Sequence, residues 1–407
     1  MKIIKRTIKV LSLCALYNVS VQAQVKNLDT NPNINFSFNF HDGLAKIKVN
    51  DRFGFLDKDG TVVVPMLYEN ALDFEENQAA VKINGKWGFI TKTGEVSVPW
   101  SYDFVESFSE GLAVVQKGEA FGYVNRLGNE VVTPKYDIAT SFSEGLAVVA
   151  KNGRFGYISK SGREEVSLKY DFAGMFNEGL AVVSLNGKFG FIDAAGNEVI
   201  TPKYDFAKPF SDGRAVVMQN GKFGVITADG SEILKADYED INTFVDGLAV
   251  VKMDNQFGFI NRTGSWIITP RFENAHDFSN GLAMVSVAGK FGYVDNTGAV
   301  IIQPKYADGS GFSEGLALVK HKKNLEYIDK NGKTAIAYKL ESGSSFSEGL
   351  ASVKFKKAMG YGYIDKAGNA LISLDYTFDK SSGRLTKMQF NKKPITIEVM
   401  NTTVATN

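Results

Sequence analysis

Carboxylates are the side chains most able to do chemistry in this sequence, because they recur along the whole chain. Glu110, Glu144 and Glu178 stand 34 residues apart, each directly before a Gly-Leu-Ala run. Carboxylates in series can bind calcium, but a calcium loop needs oxygen ligands at alternate positions, and this spacing does not supply them. We therefore interpret the three glutamates as residues that hold a turn at the start of a strand.

Histidine and cysteine, which commonly act as bases, nucleophiles and metal ligands, are scarce. His41, His276 and His321 occupy unrelated positions, and the single cysteine is Cys14. The sequence has no glycine-rich phosphate loop, no His-Glu-x-x-His motif and no nucleophile elbow. A carboxylate pair for glycoside hydrolysis would have to break the repeat symmetry, which these acids follow. The sequence therefore predicts a non-catalytic protein with no metal and no cofactor.

The first 23 residues have the pattern of a secretory signal peptide. Residues 2–9 carry four basic side chains, residues 10–17 are mainly apolar, and Ala23 ends a small-residue cleavage site. We expect cleavage near Ala23 and export to the periplasm, the outer surface or the medium. Cleavage would remove Cys14, so the mature chain could form no disulfide. The bulky Leu13 before that cysteine argues against lipid attachment there.

Charge and hydropathy exclude two further classes of partner. The formal net charge is +1, and removal of the basic signal segment makes it negative, with acids and bases mixed throughout. Attraction of the whole chain to nucleic acid is therefore not expected. No later apolar run is long enough for a transmembrane helix, so the sequence predicts no membrane-spanning segment.

Ten tandem copies of a 34-residue unit occupy most of the chain. A phenylalanine recurs at this spacing at Phe40, Phe74, Phe108, Phe142, Phe176, Phe210, Phe244, Phe278, Phe312 and Phe346. An alanine follows each one after five residues, and in eight copies an aromatic residue before glycine follows after thirteen. These eight aromatics, which we expect to form the repeated core, are Phe53, Trp87, Phe121, Phe155, Phe189, Phe223, Phe257 and Phe291.

The local pattern within each unit is typical of strands rather than helices. Runs of β-branched and aromatic residues alternate with turn signals, of which Asn84-Gly85 is an example of the type I′ hairpin turn. A second turn begins with a short polar residue and ends with glycine three residues later, as at Asn125 and Gly128. Prolines such as Pro134 are expected to end the last strand. Each unit is thus predicted to be a three-stranded β-meander.

The units could be arranged as an open array or as a closed ring. Acids such as Glu130 and Glu164 repeat at one position, and like charges would repel if they stood opposite each other in one continuous sheet. Sheets packed face to face are therefore expected. We favour an all-β, open superhelical, solenoid-like array, because propellers usually close with four to eight blades; the alternative is a closed, propeller-like ring. The predicted divisions are residues 1–23 (signal), 24–39 (N-terminal cap), 40–378 (ten repeats) and 379–407 (C-terminal tail).

The repeat unit resembles the WG, or KWG, repeat family of bacterial proteins. The resemblance rests on Lys-aromatic-Gly, on an upstream Phe-Ser-Glu-Gly-Leu-Ala and on a downstream Pro-Lys-Tyr-Asp, and it covers about residues 40 to 378. Only Lys86-Trp87-Gly88 has the literal tryptophan, and Lys188, Lys222 and Lys290 precede Phe-Gly. The resemblance implies a β-rich scaffold and no catalytic activity.

Departures from the repeat are the best candidates for function, because a repeat protein binds through its variable surface. Trp266 stands where earlier copies carry glutamate, so it is a candidate exposed aromatic. A candidate anion-binding patch lies in the last two copies, at Lys320, Lys322, Lys323, Lys354, Lys356 and Lys357. We predict a binding or scaffolding protein for an unidentified protein partner, or alternatively a binder of carbohydrate or an anionic surface ligand.

Overall fold

The computed structural model describes residues 34–49, 51–356, 361–373, 376–379 and 384–387. The predicted signal peptide, its cleavage site near Ala23, and Lys357 lie outside these residues. All regular structure in the described part is β-strand, and no described helix is long and apolar enough to cross a membrane. The first strand begins at Ile34, inside the segment predicted to be an N-terminal cap.

Each repeat forms a four-stranded antiparallel sheet in which strands pair in chain order, and we call each sheet a blade. Blades 1–5 consist of β1 (Ile34–His41), β2 (Leu44–Val49), β3 (Arg52–Asp57), β4 (Val62–Tyr68); β5 (Asn70–Ala71), β6 (Gln78–Ile83), β7 (Lys86–Thr91), β8 (Val96–Tyr102); β9 (Phe104–Val105), β10 (Leu112–Lys117), β11 (Ala120–Asn125), β12 (Glu130–Tyr136); β13 (Ile138–Ala139), β14 (Leu146–Lys151), β15 (Arg154–Ser159), β16 (Glu164–Tyr170); and β17 (Phe172–Ala173), β18 (Leu180–Leu185), β19 (Lys188–Asp193), β20 (Glu198–Tyr204).

The other five blades and a final hairpin follow the same order. They consist of β21 (Phe206–Ala207), β22 (Arg214–Gln219), β23 (Lys222–Thr227), β24 (Glu232–Tyr238); β25 (Asp240–Ile241), β26 (Leu248–Met253), β27 (Gln256–Asn261), β28 (Trp266–Phe272); β29 (Asn274–Ser279), β30 (Leu282–Val287), β31 (Lys290–Asp295), β32 (Val300–Tyr306); β33 (Asp308–Gly309), β34 (Leu316–His321), β35 (Asn324–Asp329), β36 (Thr334–Ile336); β37 (Leu340–Gly343), β38 (Leu350–Phe355), β39 (Tyr361–Asp365), β40 (Ala370–Ser373); and the hairpin β41 (Tyr376–Asp379) and β42 (Arg384–Lys387).

The prediction of three strands per unit missed the first strand of each blade. In most blades this strand is two residues long, and a single residue separates it from the last strand of the preceding blade, as between β8 and β9. Two residues are too few for an alternating pattern to be recognised in the sequence. The three predicted strands correspond to the second, third and fourth strands of each blade.

Both predicted turns are confirmed. Asn84 and Gly85 both have positive φ, 50° and 75°, as a type I′ hairpin requires. In the second turn, the side-chain oxygen of Asn125 accepts hydrogen bonds from the amides of Leu127 and Asn129, both at 3.0 Å. Gly128 closes that turn with a φ of 80°. The first turn therefore depends on residues that tolerate a left-handed backbone, and the second depends also on a side-chain oxygen that accepts local amide hydrogen bonds.

The glycine of the aromatic-glycine pair makes room for the fourth strand of its own blade. A Cβ atom placed on Gly190 would lie 2.3 Å from the carbonyl oxygen of Ile200 and 2.6 Å from the nitrogen of Pro202. The fourth strand bulges towards the third at this point, with a register shift between the pairs Phe189–Tyr204 and Phe191–Ile200. The expectation that such prolines end the strand was wrong, because Pro202 lies inside the bulge of β20.

The hydrophobic core lies between blades. Tyr123 of blade 3 is fully buried and meets Phe142 of blade 4 edge to face, with ring centroids 5.0 Å apart. Ala147 also belongs to this cluster and is 1% exposed, so the repeated alanine is the position where a neighbouring blade packs closely. Each sheet contributes one face to each of two such clusters, which confirms that the units pack face to face.

The eight aromatics predicted to form the repeated core are in fact its margin. Apart from Trp87 they are only partly buried, because they stand near the hairpin end of the third strand and pack against the edge of each cluster. The core aromatics stand two residues later, and nearly all are completely buried: Phe55, Phe89, Tyr123, Tyr157, Phe191, Phe259, Tyr293, Tyr327 and Tyr363.

Blade 10 packs against blade 1 and closes the ring. The hydroxyl of Tyr363 donates a hydrogen bond to the carbonyl oxygen of Phe38 at 2.6 Å, and Ser347 Oγ donates to that of Phe40 at 2.9 Å. The rings of Phe40 and Tyr363 lie 5.0 Å apart. Tyr123 and Ser109 of blade 3 make the same contacts with blade 4.

The prediction of an open superhelical array was therefore wrong, and the alternative of a closed, propeller-like ring is correct. The usual range of blade numbers was a poor guide here. Thin blades with alanine at the contact position can stack at the small rotation of one tenth of a turn, which allows ten of them to close.

Candidate binding surfaces

The repeated glutamates are latches between consecutive blades. Glu110 and Gly111, with φ of 52° and 86°, form a tight turn between the first and second strands of blade 3. The Glu110 carboxylate accepts a hydrogen bond from the amide of Gly145 in blade 4 at 3.0 Å. It also forms an ion pair with Lys160 at 2.9 Å. We interpreted this glutamate as a residue of its own turn. The structure shows that its side chain also binds the equivalent turn of the next blade.

The same latch recurs around the ring, including the junction between blade 10 and blade 1. Glu348 of blade 10 accepts a hydrogen bond from the amide of Gly43 in blade 1 at 3.0 Å and pairs with Lys58. In blade 8 the amide side chain of Asn280 replaces the carboxylate and accepts from Gly315 at 3.1 Å.

Hydrogen bonding favours the ionised form of two latch carboxylates, Glu110 and Glu348. The hydrogen bond from Lys160 holds the pKa of Glu110 below its ordinary value, although partial burial acts in the opposite direction. Burial alone would raise the pKa of Glu348, but the hydrogen bonds from Lys58 and Gly43 outweigh it and leave that pKa lowered. Within the described residues, no group of three or more histidine, cysteine or acidic side chains is arranged to hold a metal ion.

Trp266 is a half-buried residue of blade 7. Its indole packs edge to face with Tyr238 of blade 6, at 6.0 Å between ring centroids, and it borders the cluster between these two blades. Because one part of the ring is covered by Tyr238, only the remainder could contact a ligand.

The structure brings the predicted basic patch together at the hairpins between the second and third strands of blades 9 and 10. Lys320, Lys322 and Lys323 are exposed, and Lys356 Nζ of blade 10 reaches the carbonyl oxygen of Lys323 at 3.3 Å. Lys354 differs from them, because it forms an ion pair with Glu341 at 2.7 Å.

Blade 9 is irregular because Glu326 replaces the glycine of the aromatic-glycine pair. A side chain at this position blocks the close approach of a fourth strand, and β36 accordingly has three residues where the fourth strands of blades 1–8 have seven. Tyr327 and Ile328 still pair with residues of β36. The pairing of Phe121 with Tyr136 in blade 3 has no equivalent between β35 and β36 of blade 9. The Glu326 carboxylate instead lies 3.3 Å from His321 Nδ1.

A surface that the sequence analysis missed runs along blades 3–6, and we call it the apolar arc. It consists of the first residue of each short first strand together with the marginal aromatics of the third strands: Phe104, Ile138, Phe172, Phe206, Phe121, Phe155 and Phe189. The four first-strand residues are between 38% and 45% exposed, which is high for large apolar side chains.

The rings of the arc form a contacting pair, Phe104 with Phe121, and a series of four that crosses two blade boundaries from Phe155 to Phe206. Phe172 lies 6.2 Å from Phe155 of the preceding blade and 6.0 Å from Phe189 of its own blade. Phe206 lies 5.7 Å from Phe189, so the series continues into blade 6. Small or uncharged residues between the rings permit these contacts, as Ser184 does between Phe172 and Phe189.

The first-strand positions of the arc are polar in blades 7–10. Asp240, Asn274, Asp308 and Ser342 stand in place of the first-strand residues of the arc. The second-strand neighbours that are Gln116, Ala150, Ser184 and Met218 in blades 3–6 become Lys252, Ser286, Lys320 and Lys354. The signal was present in the sequence as four apolar residues at 34-residue spacing, but it could be recognised only once the short first strand was known.

Ten four-stranded blades in a closed ring, joined face to face by apolar cores and at their edges by carboxylate latches, define a β-propeller. The chain matches the WG containing repeat nine times, at residues 53–87, 87–119, 121–155, 155–189, 189–223, 223–256, 257–291, 291–324 and 327–357. It therefore belongs to the family of proteins built from this repeat. No curated protein sequence matches the chain.

Several solved structures are similar at low sequence identity. One is Hsv2p of Kluyveromyces lactis, with 11% identity and a TM-score of 0.33 over 56% of this chain and 92% of that chain. A eukaryotic initiation factor has 11% identity and a TM-score of 0.49 over 84% of this chain and 95% of that one. PorZ, a surface component of the type-IX secretion system of Porphyromonas gingivalis, has 9% identity and a TM-score of 0.26 over 83% and 58%.

Proposed function

We propose that this protein is a non-catalytic scaffold that binds a protein partner through the apolar arc after export from the cytoplasm. The observation that carries the proposal is the exposed series of aromatic side chains on blades 3–6. Aromatic residues are enriched at protein interfaces because they bury a large area at a small cost in side-chain entropy. Export is supported by the basic and apolar segments of residues 2–17 and the cleavage pattern at Ala23.

The surroundings of the arc favour a protein surface over a sugar. Between the rings, Ala150 and Ser184 are buried, so the arc offers few hydrogen-bonding groups for hydroxyls. Its margin is formed by ion pairs of Arg154 with Asp171 and of Lys188 with Asp205. An apolar centre with a polar margin is the usual anatomy of a protein interface.

Site-specific photo-crosslinking tests the proposal. A photoreactive phenylalanine analogue is placed at Phe172 or Phe206 and, as a matched control, at Asn274, which occupies the same repeat position on blade 8. On irradiation in intact cells, we expect discrete protein adducts from positions 172 and 206 and none from position 274. The double substitution Phe172→Asp with Phe155→Ser should remove the adducts formed at position 206.

Two results would contradict the proposal. Adducts to carbohydrate rather than to protein at the arc would favour the alternative function. Equal protein adducts from position 274 would show that the contacts are not specific to the arc.

A further inference from the structure

The hairpins between the second and third strands are normally held by an acid. In blade 3, Asp103 stands just before the first strand and accepts a hydrogen bond from the hairpin amide of Gly118 at 2.9 Å. In blade 6, Asp205 accepts from Asn220 at 2.7 Å. Every blade from 2 to 10 has an acid at this position except blade 9, where the residue is Ala307.

Blade 9 therefore lacks the acid that stands at this position in the other blades, although its hairpin carries three lysines. Lys320, Lys322 and Lys323 are all exposed, and no ion pair to any of them occurs among the described residues. The nearby acid Glu326 lies against His321. Another acid, Asp308, stands opposite Lys320 in the backbone ladder.

Blade 10 adds its own lysine to the same place. Lys356 Nζ reaches the carbonyl oxygen of Lys323, and its backbone amide donates to the carbonyl oxygen of Lys339 at 2.7 Å. Lys339 is exposed as well. Two adjacent hairpins and the segment that connects blade 9 to blade 10 thus combine Lys320, Lys322, Lys323, Lys356 and Lys339, and we call this group the basic hairpins.

The backbone of Lys322 indicates that this lysine is not kept for the stability of the turn. Its φ is 56°, in the left-handed region that asparagine and glycine tolerate better. The same turn position holds Asn84, Asn152, Asn186 and Asn220 in other blades. A lysine here is unfavourable for the turn, and it adds positive charge at the hairpin tip.

We propose that the basic hairpins bind a linear, carboxylate-bearing polysaccharide. Clustered lysines create a local positive potential even where the net charge is low. Lys322 and Lys323 form the hairpin tip of blade 9, whereas the tip of blade 8 is Ala288-Gly289 with a single lysine, Lys290, beside it, and the hairpin of blade 1 carries Asp51. A thin polymer can cross the clustered lysines alone, whereas a flat membrane would also press against neighbouring hairpins where lysines are not clustered, including that of blade 1, where Asp51 pairs with Lys48. This site is independent of the apolar arc.

Binding of polygalacturonate to the full-length mature protein tests this site. We expect the triple substitution of Lys322, Lys323 and Lys356 to glutamine to weaken binding at least about tenfold. A matched control replaces the exposed Lys135, Lys169 and Lys203, which lie on other blades, with glutamine and should bind as the wild type does. Binding by the wild type should fall steeply as salt concentration rises.

Two single substitutions separate binding from folding. Ala307→Asp restores the acid found in the other blades and should weaken binding several-fold without removing a lysine. Lys322→Asn should weaken binding while the melting temperature stays unchanged or rises, because asparagine suits the left-handed turn.

Three outcomes would overturn the proposal. The first is equal binding by the triple variant and its lysine control. The second is binding that does not depend on salt. The third is the binding of vesicles of phosphatidylserine and phosphatidylcholine in equal parts without any binding of polygalacturonate, which would identify the ligand as a membrane surface. The photo-crosslinking pattern of the apolar arc should be the same in every lysine variant.

Discussion

Blades 3–6 and blades 7–10 share one framework and differ in what they present to solvent. Tyr157 of blade 4 and Tyr293 of blade 8 are both fully buried and both donate a 2.8 Å hydrogen bond to a carbonyl of the next blade. Yet Phe172 and Phe206 are exposed aromatics where Asp240 and Asn274 are polar. The comparison shows that the repeat separates residues that build the ring from residues that distinguish one sector from another.

The largest effects should come from the buried aromatics and should be equal in the two sectors. We expect Tyr157→Ala and Tyr293→Ala each to lower the free energy of unfolding by about 3–5 kcal/mol, because each leaves a cavity between blades. Phe155→Ala, at the half-buried position of blade 4, should cost about half as much. Denaturant unfolding measures all three. A large difference between the two tyrosine variants would show that the sectors also differ in their framework.

Smaller losses should follow from adding a side chain beneath the fourth strand. Gly190→Ala and Gly292→Ala should each cost about 1–3 kcal/mol, because the new Cβ would lie 2.3 Å and 2.4 Å from a carbonyl oxygen. Glu326→Gly in blade 9 is the informative counterpart. It should cost little, since β36 is already short there. Thermal unfolding compares the three, and a strong destabilisation by Glu326→Gly would instead assign this glutamate a structural role.

The smallest effect concerns the latches and depends on pH. The pKa of Glu110 is lowered in the folded protein, so its contribution is fully present above the ordinary glutamate value of 4.5 and is lost as pH falls through the folded pKa. Glu110→Gln should cost about 1 kcal/mol at neutral pH and less in acid. The free energy of unfolding measured from pH 7 to pH 3 tests this.

Blade 8 supplies the control for that pH dependence. Its latch is the uncharged Asn280. Asn280→Ala should therefore cost the same at every pH in this range. If it shows the same pH dependence as Glu110→Gln, the latch carboxylates are not its source.

The sequence predicted what is encoded locally and missed what depends on blades meeting. Asn84-Gly85 specifies its turn through the left-handed backbone that both residues tolerate, and in the second turn a short polar side chain that accepts local amide hydrogen bonds acts together with a glycine. Ring closure depends on the rotation between sheets, which no single residue determines. The two-residue β9 and β17 carry no periodicity, so Phe104 and Phe172 could not be assigned to a common surface.

The candidate sites divide in the same way. The lysines of blades 9 and 10 were found because residues of like charge lie close together in the linear sequence of each repeat. The significance of Ala307 emerged only from the structure, because it depends on Asp103 and Asp205 holding the hairpins of other blades. The residues expected to form the core were displaced by two positions, since burial depends on how far each aromatic lies from the hairpin end.

The junction between blade 10 and blade 1 has a consequence for the life of the chain in the cell. Until Glu348 and Tyr363 are in place, the face of blade 1 that carries Phe40, Ala45 and Ile47 has no cover. A truncated or stalled chain would thus present two open apolar sheet faces to proteases and chaperones. Only the complete ring hides both, so quality control of this protein should distinguish whole molecules from fragments in an all-or-none manner.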